Sequence, residues 1–190
     1  MRIIAGTSKG KNLFSPTEKT RPTSDRAREG LFSSLESEFG SMSELNFLDL
    51  FSGSGAVGVE ALSRGAANVY SIEDHAPTAG IASKNFGLVK SEAGKFTVVT
   101  TSAERFVATP HQISFDIIFM DPPYKEKKLP ELLNTIIKLK LLKEKNFKLA
   151  ILSNGTPSLL NELVKSNNLN LKKLKRCIDL LIILVYIPRF

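Results

Sequence analysis

A glycine-rich stretch, NFLDLFSGSGAVG at residues 46–58, decides the fold of this chain. It begins as an apolar, β-prone run over 46–50, turns at Gly53 and Gly55, and continues as a helical pattern over 56–64. Glycine at both turn positions lets the backbone bend sharply and approach a ligand closely, which a Cβ would prevent. Strand, glycine-rich turn and helix in this order predict the first unit of a parallel α/β sheet, with a nucleotide-like ligand at the turn.

Alternating strand and helix patterns continue through the rest of the chain, which is typical of a parallel sheet. We expect further strands at 68–73, 96–100, 115–120 and 148–152, and helices at 77–90, 129–139 and 154–165. Two last runs, 169–174 and 179–187, predict a terminal antiparallel pair. The sequence therefore predicts a doubly wound, Rossmann-like α/β fold with about seven strands.

The residues before this sheet predict an N-terminal extension. Two β-prone runs, 2–5 and 11–14, are separated by a glycine-bounded loop and indicate a β-hairpin. A helix is expected from Ser24 or Asp25, which can cap it, to about Glu38. We therefore divide the chain into an extension at residues 1–40 and a main domain at residues 41–190.

Charge and composition narrow the classes of partner. The net charge is +7, and the arginine-rich residues 1–30 favour contact with a polyanion, whereas a second basic region at 138–176 is interpreted as a solvated surface. A single cysteine, Cys177, and two histidines exclude an internal disulfide and make a metal site unexpected. The longest apolar run, 180–187, is too short to span a bilayer, and the N-terminus does not resemble a secretory signal. We therefore expect a cytoplasmic protein with no membrane partner.

Two acids near the glycine turn indicate which nucleotide-like ligand it binds. Glu73 ends the second predicted strand, where its carboxylate can accept both hydroxyl protons of a ribose. Gly53, Gly55 and Gly58 also satisfy the dinucleotide fingerprint, so an NAD-dependent dehydrogenase is an alternative. Asp49, however, lies inside the strand before the turn, where it could hold a cationic amino-acid group and would be awkward beside a pyrophosphate. These acids favour S-adenosylmethionine (SAM) as the cofactor.

A second motif, Asp121-Pro122-Pro123-Tyr124, follows the apolar run at 115–120 and indicates the chemistry. An exocyclic amine of a nucleobase is a poor nucleophile because its lone pair is delocalised into the ring. Asp121 can accept a hydrogen bond from one N–H of this amine, and the Pro122 carbonyl can accept one from the other. The two prolines make the turn rigid. Tyr124 can stack on the base. The motif predicts methyl transfer to a base amine without a metal or a covalent intermediate, and it would accept adenine or guanine.

With these residues assembled, the chain resembles the bacterial small-subunit ribosomal RNA guanine-N2 methyltransferases, the RsmD family. The resemblance is carried by residues 1–6, 20–29, 47–65 and 121–124. It implies methylation of one guanine N2 in 16S rRNA on an assembled or partly assembled 30S subunit, with S-adenosylhomocysteine as the product. We expect the enzyme to act as a monomer.

The candidate site residues follow from the motifs and from this resemblance. The catalytic candidates are Asp121, Pro122, Pro123 and Tyr124. The cofactor-binding candidates are Asp49, Phe51, Ser52, Gly53, Ser54, Gly55, Glu73, Asp74, Ser102, Ala103 and Asp121. Where the family often has an acid near the adenine, this chain has Ser102 and Glu104, and either could take that contact. The RNA-binding candidates are Lys9, Lys11, Arg21, Arg26 and Arg28.

Two other functions remain open from the residues alone. An N6-adenine DNA methyltransferase would also carry the motif at 121–124, although this chain has no separate target-recognition domain. A binding module without catalysis is the third alternative. It predicts that Asp121→Ala leaves biological activity unchanged, whereas an enzyme would lose turnover.

Overall fold

A computed structural model of the chain describes residues 1–15, 23–89, 94–122, 131–132, 135–136 and 148–151. The helices are α1 (Asp25–Phe39), α2 (Ala56–Ser63), α3 (Ala76–Phe86) and α4 (Ala103–Ala108), and residues 131–132 and 135–136 are also helical. The strands are β1 (Asn46–Asp49), β2 (Asn68–Glu73), β3 (Lys95–Thr100), β4 (Ile117–Met120) and β5 (Lys148–Ile151). None of the helices in these ranges has the length and apolarity that crossing a membrane requires.

The sheet of the described residues has the strand order β3-β2-β1-β4-β5, and every neighbouring pair is parallel. After β1 the chain moves outward on one side to β2 and β3, and then crosses to β4 and β5 on the other side. The order therefore reverses between β1 and β4. In open α/β sheets, ligands bind at this switch point, outside the carboxyl ends of the strands.

Two apolar layers cover the two faces of the sheet. Successive residues of a strand point to opposite faces, and accordingly Phe47 joins one layer and Leu48 the other. The first layer includes residues of α1, α2 and the N-terminal segment (residues 1–15), and the second includes residues of α4 and the helical residues Leu132 and Ile136. This arrangement confirms the predicted α/β fold built on a parallel sheet.

The N-terminal segment is attached to α2 by hydrogen bonds from its backbone. The carboxylate of Glu60, only 1% exposed, accepts the amide protons of Ile4 at 2.8 Å and Ala5 at 2.9 Å. The Ser63 hydroxyl donates to the Ala5 carbonyl at 2.7 Å. Gly6 has φ +81°, and a Cβ there would lie 1.8 Å from the Ser63 carbonyl oxygen. The segment therefore depends on glycine at this position to reach α2.

The boundaries differ from the sequence-based expectations at a few places. The predicted N-terminal hairpin is present only as one antiparallel bridge, between Arg2 and Asn12, with backbone hydrogen bonds on either side. Helix α4 was not predicted because its six residues are too few to show a helical repeat. Its N-terminus is capped by the Ser102 hydroxyl, which accepts the Arg105 amide proton at 3.3 Å. The strands predicted at 169–174 and 179–187, and the helix predicted at 154–165, lie outside the described residues.

Candidate active site

Four predicted cofactor-binding residues lie at one edge of the sheet. Asp49 is the last residue of β1 and Glu73 the last of β2, whereas Ser102 and Asp121 follow β3 and β4. Because these four strands are adjacent and parallel, their carboxyl ends meet at this edge. The fold thus gathers residues from four separate sequence motifs around the switch point.

The glycine-rich turn leaves the sheet between β2 and β4. The Leu50 amide donates to the carbonyl of Phe119 at 3.1 Å, and the Ser52 amide donates to that of Ile72 at 2.9 Å. Gly55 then adopts φ +76°, and a Cβ there would meet the Ala82 side chain of α3 at 3.0 Å. The turn is therefore held by both neighbouring strands and packs closely on α3, as the glycines of the sequence predict.

Asp49 is a buried acid with an unused oxygen. It is 1% exposed. Within the described residues, its Oδ1 accepts only a long hydrogen bond of 3.4 Å from the Phe51 amide, and its Oδ2 has no partner. Burial raises the pKa of Asp49 well above its ordinary value, and the charges of Asp121 and Glu73 raise it further. The Ser52 hydroxyl is also buried and has no hydrogen-bond partner in the part of the chain that the structure describes. Because buried polar groups are normally hydrogen-bonded, these two residues fit a ligand that would complete their bonds.

Glu73 supports the glycine turn directly. Its Oε2 accepts the Gly53 amide proton at 2.8 Å, and its Oε1 accepts that of His75 at 3.0 Å. Burial raises the pKa of the Glu73 carboxyl, and these two hydrogen bonds oppose the rise. The charge of the neighbouring Asp74 and a side-chain hydrogen bond with it raise the pKa further. Glu73 is therefore positioned beside the turn, where a carboxylate can accept ribose hydroxyl protons.

Asp121 is the third acid of the edge. Burial raises its pKa to about 6, and a hydrogen bond from the Thr23 hydroxyl to Oδ2, 3.2 Å long, opposes the rise. Pro122 is partly buried beside it, whereas Pro123 and Tyr124 lie outside the described residues. The acid and the first proline of the predicted clamp therefore stand at the switch point.

The electrostatics of this edge suit a cationic ligand. The ion pairs in the described part of the chain join Arg2, Arg28 and Arg64 to Asp25, Glu36 and Glu60. None of them includes Asp49, Glu73 or Asp121, and the pKa of each of these three acids is raised. A pyrophosphate would add negative charge to this group, whereas the ammonium and sulfonium of SAM would neutralise it. The residues present therefore fit SAM and disfavour a dinucleotide.

The remaining cofactor candidates lie close to the turn or after β3. Phe51 is partly buried, Ser54 is buried and Asp74 is exposed. The Ser102 hydroxyl caps α4, and Ala103 is 3% exposed at the first position of that helix. The adenine contact predicted for Ser102 or Glu104 stays a prediction.

The RNA-binding candidates have different environments. Lys9 and Arg26 are exposed, as a contact to RNA requires, and Arg21 lies outside the described residues. Lys11 is partly buried, and its ammonium donates to the carbonyl of Leu88 at 2.6 Å.

Arg28 differs from the expectation that it contacts RNA. Its side chain is fully buried and donates to the carbonyls of Thr23 at 3.2 Å and Arg2 at 2.6 Å. It also forms an ion pair of 2.9 Å with Asp25. Burial lowers the pKa of Arg28, and the charges of Asp25 and Glu60 oppose this. Arg28 is therefore an internal support of the start of α1 and not a surface residue.

Sequence reasoning missed a residue that joins the N-terminal segment to the glycine turn. Asn85 of α3 is fully buried; its Oδ1 accepts the Phe14 amide proton at 2.8 Å, and its Nδ2 donates to the Phe14 carbonyl at 2.9 Å. The same Nδ2 donates to the Ser54 carbonyl at 2.8 Å. An amide within the apolar side of a helix was the available signal. It identifies a buried polar residue but not its partners.

Three features are typical of a methyltransferase with a Rossmann-like fold: the glycine turn at the switch point, three acids without an ion-pair partner in the described part of the chain, and the Asp-Pro sequence after β4. The solved structure of yhhF from Escherichia coli shares this fold with a TM-score of 0.65 and 33% identity, over 76% of this chain and 75% of that one. The protein is thus a methyltransferase.

The sequence comparisons identify its family. The family model described as conserved hypothetical protein 95 matches residues 1–176. Ribosomal RNA small subunit methyltransferase D of Escherichia coli K12 is 39% identical over 140 residues, which are 72% of this chain and 66% of that protein. The protein of the same name from Buchnera aphidicola subsp. Baizongia pistaciae is 33% identical over 93% of this chain and 86% of its own length. The chain belongs to this family, the RsmD family, as the sequence motifs predict.

Proposed function

We propose that this protein transfers a methyl group from SAM to the exocyclic N2 of a specific guanine in 16S rRNA. The observation that carries the proposal is the group of three carboxylates around the glycine turn. Among the residues that the structure describes they have no ion-pair partner, and Asp121 of this group is followed by Pro122. The names of the relatives, which are small-subunit rRNA methyltransferases, support RNA as the acceptor. The proposed substrate is an assembled or partly assembled 30S subunit, and the second product is S-adenosylhomocysteine. The proposed enzyme is a monomer and acts in the cytoplasm.

The turn and its acids bind the cofactor. Asp49 and Ser52 offer buried acceptors to the amino-acid part of SAM, and Glu73 offers its carboxylate to the ribose. Asp74, Ser102 and Ala103 lie where the chain leaves β2 and β3 and enclose the nucleoside end. When bound, SAM supplies a methyl group already activated by the positive charge on its sulfur.

Asp121 and Pro122 prepare the acceptor. The amine donates one N–H to the Asp121 carboxylate and the other to the Pro122 carbonyl, which fixes the plane of the base and directs the nitrogen lone pair away from both. As the nitrogen forms its bond to the methyl carbon, it must lose one proton. A carboxyl with a pKa of about 6 is ionised at neutral pH and more basic than an ordinary aspartate, so Asp121 can take that proton. Pro123 completes the rigid turn, and Tyr124 stacks on the base.

The N-terminal extension, residues 1–40, contacts the RNA. Lys9 and Arg26 are exposed and Lys11 is partly exposed, and together with Arg21 they contact phosphates, which position the RNA without reading its sequence. The main domain, residues 41–190, completes a sheet of about seven strands with the runs at 169–174 and 179–187.

Methyl transfer to defined acceptors tests the proposal. Protein and labelled SAM are incubated with 30S subunits from cells that lack the protein, with free rRNA, or with DNA, and the labelled nucleoside is identified by mass. We expect N2-methylguanosine in 16S rRNA, and we expect Asp121→Asn to abolish it, with Glu29→Gln, an exposed acid of α1, as the matched control. Labelling of DNA adenine alone would refute the RNA assignment in favour of an N6-adenine methyltransferase.

A further inference from the structure

A residue of the N-terminal extension touches the catalytic carboxyl. The Thr23 hydroxyl donates to Oδ2 of Asp121 at 3.2 Å, across 98 positions of sequence. This is the side-chain hydrogen bond that opposes the effect of burial on the pKa of Asp121. The extension therefore contributes to the methyl-transfer site as well as to the surface around it.

Thr23 is held in place independently of Asp121. Its carbonyl accepts a hydrogen bond of 3.2 Å from Arg28, whose buried guanidinium also binds the Arg2 carbonyl and Asp25. The next residue, Ser24, caps α1 by accepting the Ala27 amide proton at 3.2 Å. The backbone from the Thr23 carbonyl into the first turn of α1 is thus held by hydrogen bonds that do not involve Asp121.

The Thr23 hydroxyl is a neutral donor to a carboxyl that has a second acid nearby. The charge of Asp121 raises the pKa of Asp49, so the two carboxyls lie close enough across the sheet edge to interact. Within the described residues, the ion pairs leave Asp121 without a cation. A neutral donor bound to one oxygen stabilises the carboxylate without occupying the other oxygen. Asp121 thereby keeps one oxygen for the amine of the base.

We propose that Thr23 is a positioning residue of the methyl-transfer site, whose hydroxyl orients Asp121 through Oδ2 and leaves Oδ1 to accept the amine N–H. The proposal rests on the proposed function, because it assigns to Asp121 the role of acceptor. Arg28 acts through Thr23 by fixing its backbone. The buried arginine that the sequence suggested for RNA contact then supports the catalytic acid instead.

Removal of the hydroxyl without loss of volume tests the role. We compare the wild type with Thr23→Val and Thr23→Ser. The control is Thr109→Val, which removes an exposed hydroxyl that donates to the Phe106 carbonyl. Single-turnover methyl transfer to 30S subunits is measured against pH with saturating SAM. A hydrogen bond to a charged group is worth about 1.5–3 kcal/mol, so Thr23→Val should slow transfer by about tenfold or more. SAM affinity and thermal stability check that the site and fold are retained.

The pH dependence separates this role from a merely structural one. In Thr23→Val the rise in rate with pH should move to higher pH, because the carboxylate loses a donor, and Thr23→Ser should restore the wild-type profile. The titration of the Asp121 carboxyl, followed by carbon NMR without any substrate, should move in the same direction. An unchanged titration and pH profile in Thr23→Val, or a Thr23→Ser variant that resembles Thr23→Val, would overturn the proposal. If no acceptor is methylated by the wild type, the proposed function fails, whereas the NMR titration still decides whether Thr23 controls Asp121.

Discussion

Replacement of Asp121, the proposed proton acceptor, by its amide should stabilise the protein while it abolishes turnover. The pKa of Asp121 rises from its ordinary value of 3.8 to about 6 in the folded protein. At about 1.4 kcal/mol per pH unit, this difference corresponds to a loss of about 3 kcal/mol in the free energy of unfolding when the carboxyl is ionised. Because the folded protein holds this proton more tightly than the unfolded chain, the free energy of unfolding falls as the pH rises from about 4 to about 6 and is level above that. The neutral amide of Asp121→Asn does not ionise and avoids this loss.

The magnitude depends on how much water reaches the side chain. Asp121 is partly and not fully buried, so we expect Asp121→Asn to raise the free energy of unfolding by about 1–3 kcal/mol at pH 8. The gain should be near zero at pH 4, where the carboxyl is protonated in both states. In a protein of this size, the corresponding rise in Tm at pH 8 is about 2–10 °C.

Urea unfolding of the ligand-free protein at pH 4, 6 and 8 measures this effect. Glu29→Gln provides the matched control, since it removes a charge of the same sign from an exposed position of α1 and should change stability by less than about 0.5 kcal/mol. The reasoning is refuted if Asp121→Asn is no more stable than the wild type at pH 8, or if its advantage is the same at pH 4. Either result would mean that burial does not hold the pKa of Asp121 above its ordinary range.

Three further predictions concern the contacts around the site. Gly6→Ala should lower the free energy of unfolding clearly more than Gly10→Ala. Both glycines have positive φ, but only a Cβ at Gly6 would meet backbone atoms. Urea titration of both variants checks this, and equal losses would contradict it. Asn85→Ala should weaken SAM binding, because it leaves the Ser54 carbonyl of the turn without its donor. The control Ser83→Ala, at an exposed position of the same helix, should leave SAM affinity unchanged. Equal affinities of the two variants by calorimetry would exclude a contribution of Asn85 to SAM binding. SAM affinity should rise as the pH rises through about 6, with release of protons, because the cation favours the ionised form of the acids. Asp49→Asn should weaken SAM binding by about tenfold or more. Calorimetry in buffers of different ionisation enthalpy tests this, and an affinity independent of pH would contradict it.

The parts of the fold that could be predicted are those encoded by neighbouring residues. An apolar run followed by Gly53 and Gly55 specifies β1 and its turn, because strand propensity and positive φ are local properties. The boundaries of β2 were predicted to the residue. Once the strands are parallel and adjacent, residues that end them must meet, so the site acids could also be located. The sequence could therefore place Asp49, Glu73 and Asp121 at one edge of the sheet, whereas their roles stay predictions.

The contacts that sequence reasoning missed join distant segments. Thr23 and Asp121 are 98 positions apart, and Asn85 and Phe14 are 71 apart. No local pattern reports such a pairing, because each residue has an ordinary environment in its own segment. Arg28 illustrates the same limit: its charge suggested a polyanion contact, but its burial is set by the packing of α1 against the N-terminal segment.

Glu60 and Asp49 are both buried acids, but their surroundings differ in a way that favours a functional role for Asp49 over imperfect packing. Glu60, 1% exposed, accepts two backbone amide protons and pairs with Arg64 at 2.9 Å, so the fold satisfies a buried acid fully where it serves structure. Asp49, equally buried, has one oxygen that meets no partner among the described residues, and burial raises the pKa of Asp121 to about 6. Leaving a buried acid unsatisfied costs free energy, and proteins concentrate such costs where a ligand or a reaction recovers them. The difference between Glu60 and the acids at the switch point therefore supports the proposal that a cationic cofactor and a base amine bind there.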